Sequence, residues 1–301
     1  MANITAKDVA ALRERTNCGM MDCKKALVEA DGDTEKAIEI LKEKGLAKAA
    51  KKAGRIAAEG LVTSVIDEAK NVGVVLEVNS ETDFVAKNDT FKDFVALVAN
   101  TIIEQAPADV DALLSCKVDG QTINDRLTEK IATIGENLKI RRFERVEGGV
   151  LIPYVHDGGR IGVIVKLDTE ATKDEVKDCG LNVALQVTAM NPQYLDESDV
   201  PAETAENEKK IMLNQVMEEG KPAQIAEKIV IGKMKKYFGE ICLVDQEYVK
   251  DGDYTVGKYV ESVAKQIGKD IKIAKFVRFE KGEGIEKKED NFADEVASMI
   301  K

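Results

Sequence analysis

The sequence predicts an α+β protein whose core contains the same small antiparallel sheet twice, each copy with its helices. Residues 60–75 resemble residues 149–164 at an offset of 149 − 60 = 89, and residues 134–143 resemble residues 267–276 at an offset of 267 − 134 = 133. In each copy the pattern predicts a hairpin, a helix, a connecting segment and a third strand, which favours a three-stranded sheet with helices on one face. We also predict a three-helix N-terminal module, a helical hairpin inserted into the second copy, and a C-terminal helix.

Residues 1–45 are predicted to form the three-helix module. Thr5 followed by Asp8 is a weak capping box for the first helix, Asp33 is placed to cap the third helix, and Gly45 is typical of a helix end. A unit this small buries little apolar surface, and its pattern resembles a ubiquitin-associated-type fold, which is usually a docking module. Its expected core residues are Val9, Leu12, Ala26, Leu27, Ala37, Ile38 and Leu41.

Residues 46–59 are rich in Ala, Lys and Arg and are predicted to be a basic linker. Such a run resembles the basic arm of a nucleic-acid-binding protein. However, no aromatic side chain is interleaved to stack on a base, and the rest of the chain is acidic. A solvated helical tether is therefore the favoured interpretation.

The polar segment 80–89 joins a predicted strand to a predicted helix and carries Phe84 beside Asp83. One interpretation is structural: Phe84 packs the turn against its own helix, and Asp83 or Asp89 caps that helix. The second copy argues against it, because the corresponding residues 169–173 contain no Asp-Phe pair. A residue needed only for folding is expected in both copies.

The second copy is longer than the first by 133 − 88 = 45 residues, since the helices that follow the two hairpins align at an offset of 88. The extra residues, 194–238, contain two charged helical runs separated by Gly220-Lys221-Pro222, a typical helix stop and restart. We predict an antiparallel helical hairpin whose remaining apolar surface is a candidate contact for a partner or for a second copy of the chain in a homodimer. The residues expected to face each other are Ile211, Leu213, Val216, Met217, Ile225, Ile229, Val230 and Met234.

The remaining domain boundaries follow from the repeat. The core N-subdomain is predicted at 60–148, and the core C-subdomain at 149–193 and 239–281. Residues 282–301 are predicted to form a C-terminal module that ends in an amphipathic helix.

The composition limits the classes of function. The net charge of −11 (44 basic and 55 acidic residues) argues against DNA as a partner, and no apolar run is long enough to cross a membrane. The chain begins without an apolar signal core, and its five cysteines are scattered. We therefore expect reduced thiols in a cytoplasmic protein.

No pattern predicts an enzyme, a metal or a cofactor. Residues 252–259 have the spacing of a phosphate-binding loop, but Tyr259 stands where a hydroxyl must ligate magnesium, so a turn before a helix is favoured and no direct nucleotide binding is expected. Cys18 and Cys23 lack a second pair of zinc ligands. His156 is the only histidine, in a polar turn without a nucleophile nearby.

Two blocks carry a resemblance to a known family. The sequence TDFVAKND at 82–89 and the sequence ITAKDVAALRERTNCGMMDCKKAL at 4–27 resemble bacterial elongation factor Ts, and the similarity runs essentially from end to end. Members of that family are nucleotide exchange factors for the GTPase elongation factor Tu. The resemblance therefore implies that this chain promotes GDP release from that partner.

The resemblance also implies roles for individual residues. The Asp83-Phe84 turn is expected to wedge between helices of the GTPase near its magnesium site. The N-terminal module is expected to hold the nucleotide-binding domain elsewhere. The residues implied at the displacing turn are Thr82, Asp83, Phe84 and Val85. Those implied at other contacts are Arg13, Met20, Met21, Lys24, Ile134, Gly135, His156, Val249 and Met299.

Two alternatives remain open on the sequence. Met20 and Met21 are either adaptable core filler or a soft apolar contact for the partner, which the resemblance favours. The whole chain is either an exchange factor or a non-catalytic scaffold that tethers partners through its three-helix module and its hairpin without altering them.

Overall fold

The computed structural model describes residues 4–16 and 18–286 and confirms the α+β class. Its helices are α1 (Ala6–Thr16), α2 (Met20–Glu29), α3 (Thr34–Lys52), α4 (Asp83–Lys87), α5 (Asp89–Gln105), α6 (Val110–Ser115), α7 (Ile123–Ile134), α8 (Lys173–Met190), α9 (Ala202–Glu218), α10 (Ala223–Ile241) and α11 (Val256–Ile267). Its strands are β1 (Glu59–Asp67), β2 (Val72–Ser80), β3 (Lys117–Val118), β4 (Gln121–Thr122), β5 (Lys139–Glu147), β6 (Val150–His156), β7 (Ile161–Thr169) and β8 (Ile271–Glu280). The sheet orders are β1-β2-β5, β3-β4 and β6-β7-β8.

The chain divides into two compact units. The first takes residues up to 62, residues 76–143 and residues from 280 onward, and the second takes residues 63–75 and 144–279. The finer domain boundaries given above stay a prediction.

The three-helix module has the caps that its sequence predicts. The backbone N–H of Thr5 donates to Asp8 Oδ2 at 2.9 Å, and the N–H of Asp8 donates back to Thr5 Oγ1 at 3.3 Å. The Asp33 carboxylate accepts the first free N–H groups of α3. The core of the module consists of Val9, Leu12, Cys23, Ala26, Leu27, Ala30, Ala37 and Leu41, with Ile38 partly buried against it.

The prediction that Gly45 ends the third helix is wrong, because α3 continues through Gly45 to Lys52. Gly45 lies on α7: a Cβ built on it would be 3.7 Å from Ala132 Cβ, an ordinary packing distance. The residues after Gly45 are mostly Ala and Lys, which are strong helix formers. The first half of the predicted linker is therefore helix, and only residues 53–58 connect it to β1.

In the second unit, β6 and β7 pair antiparallel with Ile152 opposite Val165, and α8 packs on both strands. Gly180 makes this packing close, since a Cβ there would lie 2.4 Å from Ile152 Cγ1. The core of the unit is aliphatic and includes Val163, Val165, Leu167, Val183, Val187, Leu243, Val256 and Ile273.

The inserted residues form an antiparallel pair of helices, α9 and α10, as predicted. Val216, Ala226 and Val230 are buried between them. The prediction that Ile211, Met217 and Ile225 face the partner helix is wrong, because these side chains are about half exposed. Each residue turns a helix by about 100°, so Met217 points well away from the direction of Val216.

We expect the outer part of this hairpin to be dispensable for folding. At its base, Tyr237 and Phe238 pack with Val200 and Cys242, whereas the buried residues of the outer part belong to a separate cluster formed by α9 and α10. Replacing residues 206–236 by a short Gly-Ser link should therefore leave one cooperative thermal transition, measured by far-UV circular dichroism. A broad, non-cooperative transition would show that the core depends on the hairpin.

The phosphate-loop-like segment is a turn before a helix, as favoured above: Thr255 caps α11 through a hydrogen bond from the Lys258 N–H. Within residues 4–16 and 18–286, no helix has the length and apolar character required to span a membrane. The predicted C-terminal helix and Met299 lie outside the described residues.

Glu77 is an acidic residue with a fully buried side chain in β2. Its carboxylate pairs with Arg141 Nη1 at 2.9 Å and with Arg142 Nε at 2.6 Å, and it accepts the backbone N–H of Gly282 at 2.8 Å. Burial raises the pKa of Glu77, but the hydrogen bonds from Gly282, Asn79 and the two arginines outweigh it and hold the pKa below its ordinary value.

Candidate functional site

Phe84 is the most exposed of the large apolar side chains in the described chain, with 79% of its surface accessible. It lies in α4, a single short helix between β2 and α5 that has no buried residue of its own. The structural interpretation, in which Phe84 packs against its own helix, is therefore wrong. So is the choice of caps, because Thr82 caps α4 and Asn88 caps α5, in place of Asp83 and Asp89.

Asp83 braces α4 internally. Its carboxylate accepts a hydrogen bond from Lys87 Nζ at 2.7 Å, one helical turn further on. This hydrogen bond holds the pKa of Asp83 below its ordinary value and raises the pKa of Lys87. Both groups are thus charged at neutral pH, and the pair favours the helical turn that carries Phe84.

Glu136 anchors the turn from outside. It follows the C-terminal end of α7, where Gly135 has a φ of +89° that favours glycine. The Glu136 carboxylate accepts three hydrogen bonds: from the Glu81 N–H at 3.1 Å, the Thr82 N–H at 3.0 Å and the Thr82 hydroxyl at 2.6 Å. The predicted contact residues Ile134 and Gly135 are therefore next in sequence to the residue that holds the Phe84 turn.

The Glu81 carboxylate makes a second contact between the turn and the segment after α7. Glu81 Oε1 accepts the backbone N–H of Asn137 at 2.6 Å and lies 3.5 Å from Arg55 Nη1. The Asn137 side chain donates to the Arg55 carbonyl at 2.8 Å. The turn, the segment after α7 and the end of the predicted linker thus form one hydrogen-bonded group.

Met20 and Met21 begin α2 and have 52% and 62% of their surfaces exposed. The core-filler alternative is therefore wrong for both residues. Arg13 and Lys24 are exposed in the same module. The module thus presents two soft apolar side chains, with the basic residues Lys24 on the same helix and Arg13 on α1.

His156 and Val249 lie in the second unit, and both are exposed. His156 ends β6, and its Nδ1 is 3.0 Å from the hydroxyl oxygen of Tyr154. The backbone N–H of Val249 donates to the buried side chain of Gln186 at 2.9 Å. Each residue is thus held by a specific contact while its side chain remains accessible.

Sequence reasoning missed Glu136 and Glu81. A signal for Glu136 was present, because the repeat aligns it with Lys269, a reversal of charge within an otherwise similar segment. The assembled arrangement is an exposed aromatic side chain on a short helix that Asp83 and Glu136 hold in place.

The comparisons with known proteins point to one family over nearly the whole chain. A family model described as Elongation factor TS matches residues 81–283. The chain is 52% identical over 299 residues to Elongation factor Ts of Clostridium perfringens (strain SM101 / Type A), covering 98% of this chain and 99% of that protein. It is 52% identical over 302 residues to Elongation factor Ts of Clostridium novyi (strain NT), covering 99% of each. It is 50% identical over 303 residues to Elongation factor Ts of Clostridioides difficile (strain 630), covering 100% of each. With similarity of this extent, the chain belongs to the elongation factor Ts family of translation elongation factors.

Proposed function

We propose that the chain is a guanine-nucleotide exchange factor that promotes GDP release from elongation factor Tu. The observation that carries the proposal is the exposed Phe84 on a short turn braced by Asp83 and anchored by Glu136. An aromatic side chain in this setting gains free energy only when a partner buries it, by about 1.5–3 kcal/mol. Family membership points to a GTPase as that partner.

The wedge acts on the magnesium site of the GTPase. Magnesium requires near-ideal octahedral geometry and bridges nucleotide phosphates to the protein. A small displacement of the elements that support its ligands therefore weakens nucleotide binding. In this mechanism Thr82 and Val85 border the wedge, Asp83 keeps α4 folded, and Phe84 enters the seam between helices of the partner.

The remaining residues hold the partner while the wedge acts. Met20 and Met21 form an apolar contact with the nucleotide-binding domain, flanked by Arg13 and Lys24. Ile134, Gly135 and His156 contact the same domain, and Val249 contacts another part of the complex. The exposure of Met20, Met21, His156 and Val249 supports this division of roles.

Exchange of this kind is a binding equilibrium, so the chain makes and breaks no covalent bond. Coupling between two ligands is reciprocal: if the bound factor weakens nucleotide binding, nucleotide weakens factor binding by the same ratio. Either GDP or GTP therefore expels the factor and completes the cycle. We place this activity in the cytoplasm, and dimer formation through the hairpin remains part of the proposal.

A release assay separates exchange from tethering. Elongation factor Tu loaded with fluorescent GDP is mixed with an excess of unlabelled GDP, with and without an equimolar amount of the chain. The proposal expects faster loss of the fluorescent nucleotide with the chain, and loss of the complex on a sizing column when GDP is added. A complex that forms but leaves the release rate unchanged would identify a scaffold.

A further inference from the structure

We propose that Glu136 is a positioning residue, whose carboxylate fixes the orientation in which α4 presents Phe84; this rests on the function proposed above. The carboxylate binds the two backbone N–H groups of residues 81 and 82 and the Thr82 hydroxyl, all within 3.1 Å. Thr82 is also the N-cap of α4, since its hydroxyl oxygen accepts the Val85 N–H. One side chain therefore sets the start of the helix that carries the wedge.

Few other contacts fix the turn: the Glu81 carboxylate accepts the Asn137 N–H at 2.6 Å, and the Ser80 hydroxyl donates to the Thr82 carbonyl at 2.9 Å. A helix of five residues is far below the length that is stable by itself in water, and α4 buries no side chain. Its internal brace, Asp83 to Lys87, holds the helical turn together but connects it to nothing outside. Without the Glu136 carboxylate, α4 would keep its chain connections to β2 and α5 and lose the three hydrogen bonds at its start.

The second copy of the repeat supports this role by contrast. Lys269 occupies the position that corresponds to Glu136, and its ammonium group pairs with Glu175 at 2.7 Å. Glu175 belongs to α8 itself and accepts the N–H and the hydroxyl of Thr172, at 2.7 and 2.9 Å. That copy has no aromatic residue at the corresponding turn, 169–173, and caps its helix with its own carboxylate. The external carboxylate occurs in the copy that carries Phe84.

This role makes two predicted contact segments interdependent. Ile134 and Gly135 directly precede Glu136, and Phe84 follows Thr82 by two residues. A partner that contacts Ile134 and Gly135 therefore contacts the base from which the wedge is held. Preorganising a contact in this way lowers the cost of ordering it on binding.

The first test measures the mobility of the turn in the chain alone, without a partner. The chain has no tryptophan, so Phe84→Trp introduces one indole at the tip of the turn. In that background Glu136→Ala is expected to lower the steady-state fluorescence anisotropy of the indole, whereas Glu136→Gln, which still accepts the two backbone N–H groups, is expected to retain most of it. Glu175→Ala removes an equivalent capping carboxylate from the second copy and should leave the anisotropy unchanged.

The second test measures GDP release from elongation factor Tu at saturating factor. Glu136→Ala is expected to slow the stimulated release by about tenfold, as for the loss of charge-assisted hydrogen bonds. In a Phe84→Ala background the same change should have less than about a twofold effect, because the residue acts through Phe84. If Glu136→Ala does not fold, Glu136→Asp keeps the charge but shortens its reach and should show the same pattern.

The outcomes distinguish the two proposals. If Glu136→Ala leaves either the anisotropy or the release rate as in the parent chain, or if Glu175→Ala lowers the anisotropy equally, the positioning role is overturned. If the Phe84→Ala variant stimulates GDP release from elongation factor Tu as fast as the parent chain does, the proposed function fails. The anisotropy of the indole then still reports whether Glu136 holds the turn.

Discussion

Phe84→Ala is expected to remove most of the stimulated GDP release while leaving the melting temperature of the chain nearly unchanged. The side chain is 79% exposed, so truncating it creates no cavity. Its burial in a partner is worth about 1.5–3 kcal/mol, which corresponds to a loss of affinity for nucleotide-free elongation factor Tu of roughly tenfold to a hundredfold. The paired measurements are thermal unfolding and the rate of fluorescent GDP release.

A matched control lies seven residues further along the chain. Phe91 is fully buried in α5, so Phe91→Ala should lower the free energy of unfolding by about 3–5 kcal/mol, the usual cost of truncating a core phenylalanine. Should Phe84→Ala instead destabilise the chain like Phe91→Ala, with release per folded molecule intact, Phe84 would be structural. The displacing contact would then have to be sought at Met20 and Met21 or at His156.

Glu77→Ala is expected to lower the free energy of unfolding far more than the loss of an exposed ion pair does. The carboxylate is fully buried and pairs with Arg141 and Arg142. Removing one member of a buried ion pair costs about 3–5 kcal/mol, and the arginines, whose side chains are 23% and 30% exposed, place the effect near the lower end. Urea unfolding followed by circular dichroism measures it. Glu35→Ala, which breaks an exposed pair with Arg15, should cost less than about 1 kcal/mol; equal losses in the two variants would refute the prediction.

The same residue predicts a pH dependence with a definite sign. The pKa of Glu77 in the folded chain is below its ordinary value of 4.5, so the unfolded chain binds a proton first as the pH falls. Its contribution to stability is therefore complete above the ordinary pKa and is lost as the pH falls through the folded pKa. Glu77→Gln cannot titrate, and its stability should fall less between about pH 5 and about pH 3 than that of the parent chain. Parallel curves for the two proteins would contradict the prediction.

Local pattern was sufficient for most of the fold. The repeat offsets predicted both three-stranded sheets, and cap chemistry predicted the start of α1 at Thr5 and of α3 at Asp33. The end of α3 was missed because glycine usually stops a helix, whereas Gly45 here packs close to Ala132. The Ala and Lys residues after Gly45 were a local signal for a longer helix, whereas the contact with Ala132 joins residues 132 − 45 = 87 positions apart and no local pattern contains it.

The candidate site likewise has one part that the sequence predicts and one part that depends on a contact between distant residues. The absence of an Asp-Phe pair from the second copy singles out Phe84 from the sequence alone, and the exposure of its side chain agrees with that hypothesis. The anchoring by Glu136 depends on hydrogen bonds to Glu81 and Thr82, which lie 55 and 54 positions before it in the sequence. Periodicity and capping rules describe neighbours along the chain, so they could not supply this contact.

The opposite charges of Glu136 and Lys269 make the two halves of the duplicated core unequal at one corner. At the same corner, the Glu136 carboxylate of the first copy holds the turn before α4, whereas the Lys269 ammonium group of the second copy pairs with Glu175 of α8. The two corners are not interchangeable. A glutamate at position 269 would face Glu175 with a like charge, and a lysine at position 136 has no acceptor for the backbone N–H groups there. Exchanging the residues at positions 136 and 269 is therefore expected to remove the contacts of both corners, so neither half can take over the charged position of the other.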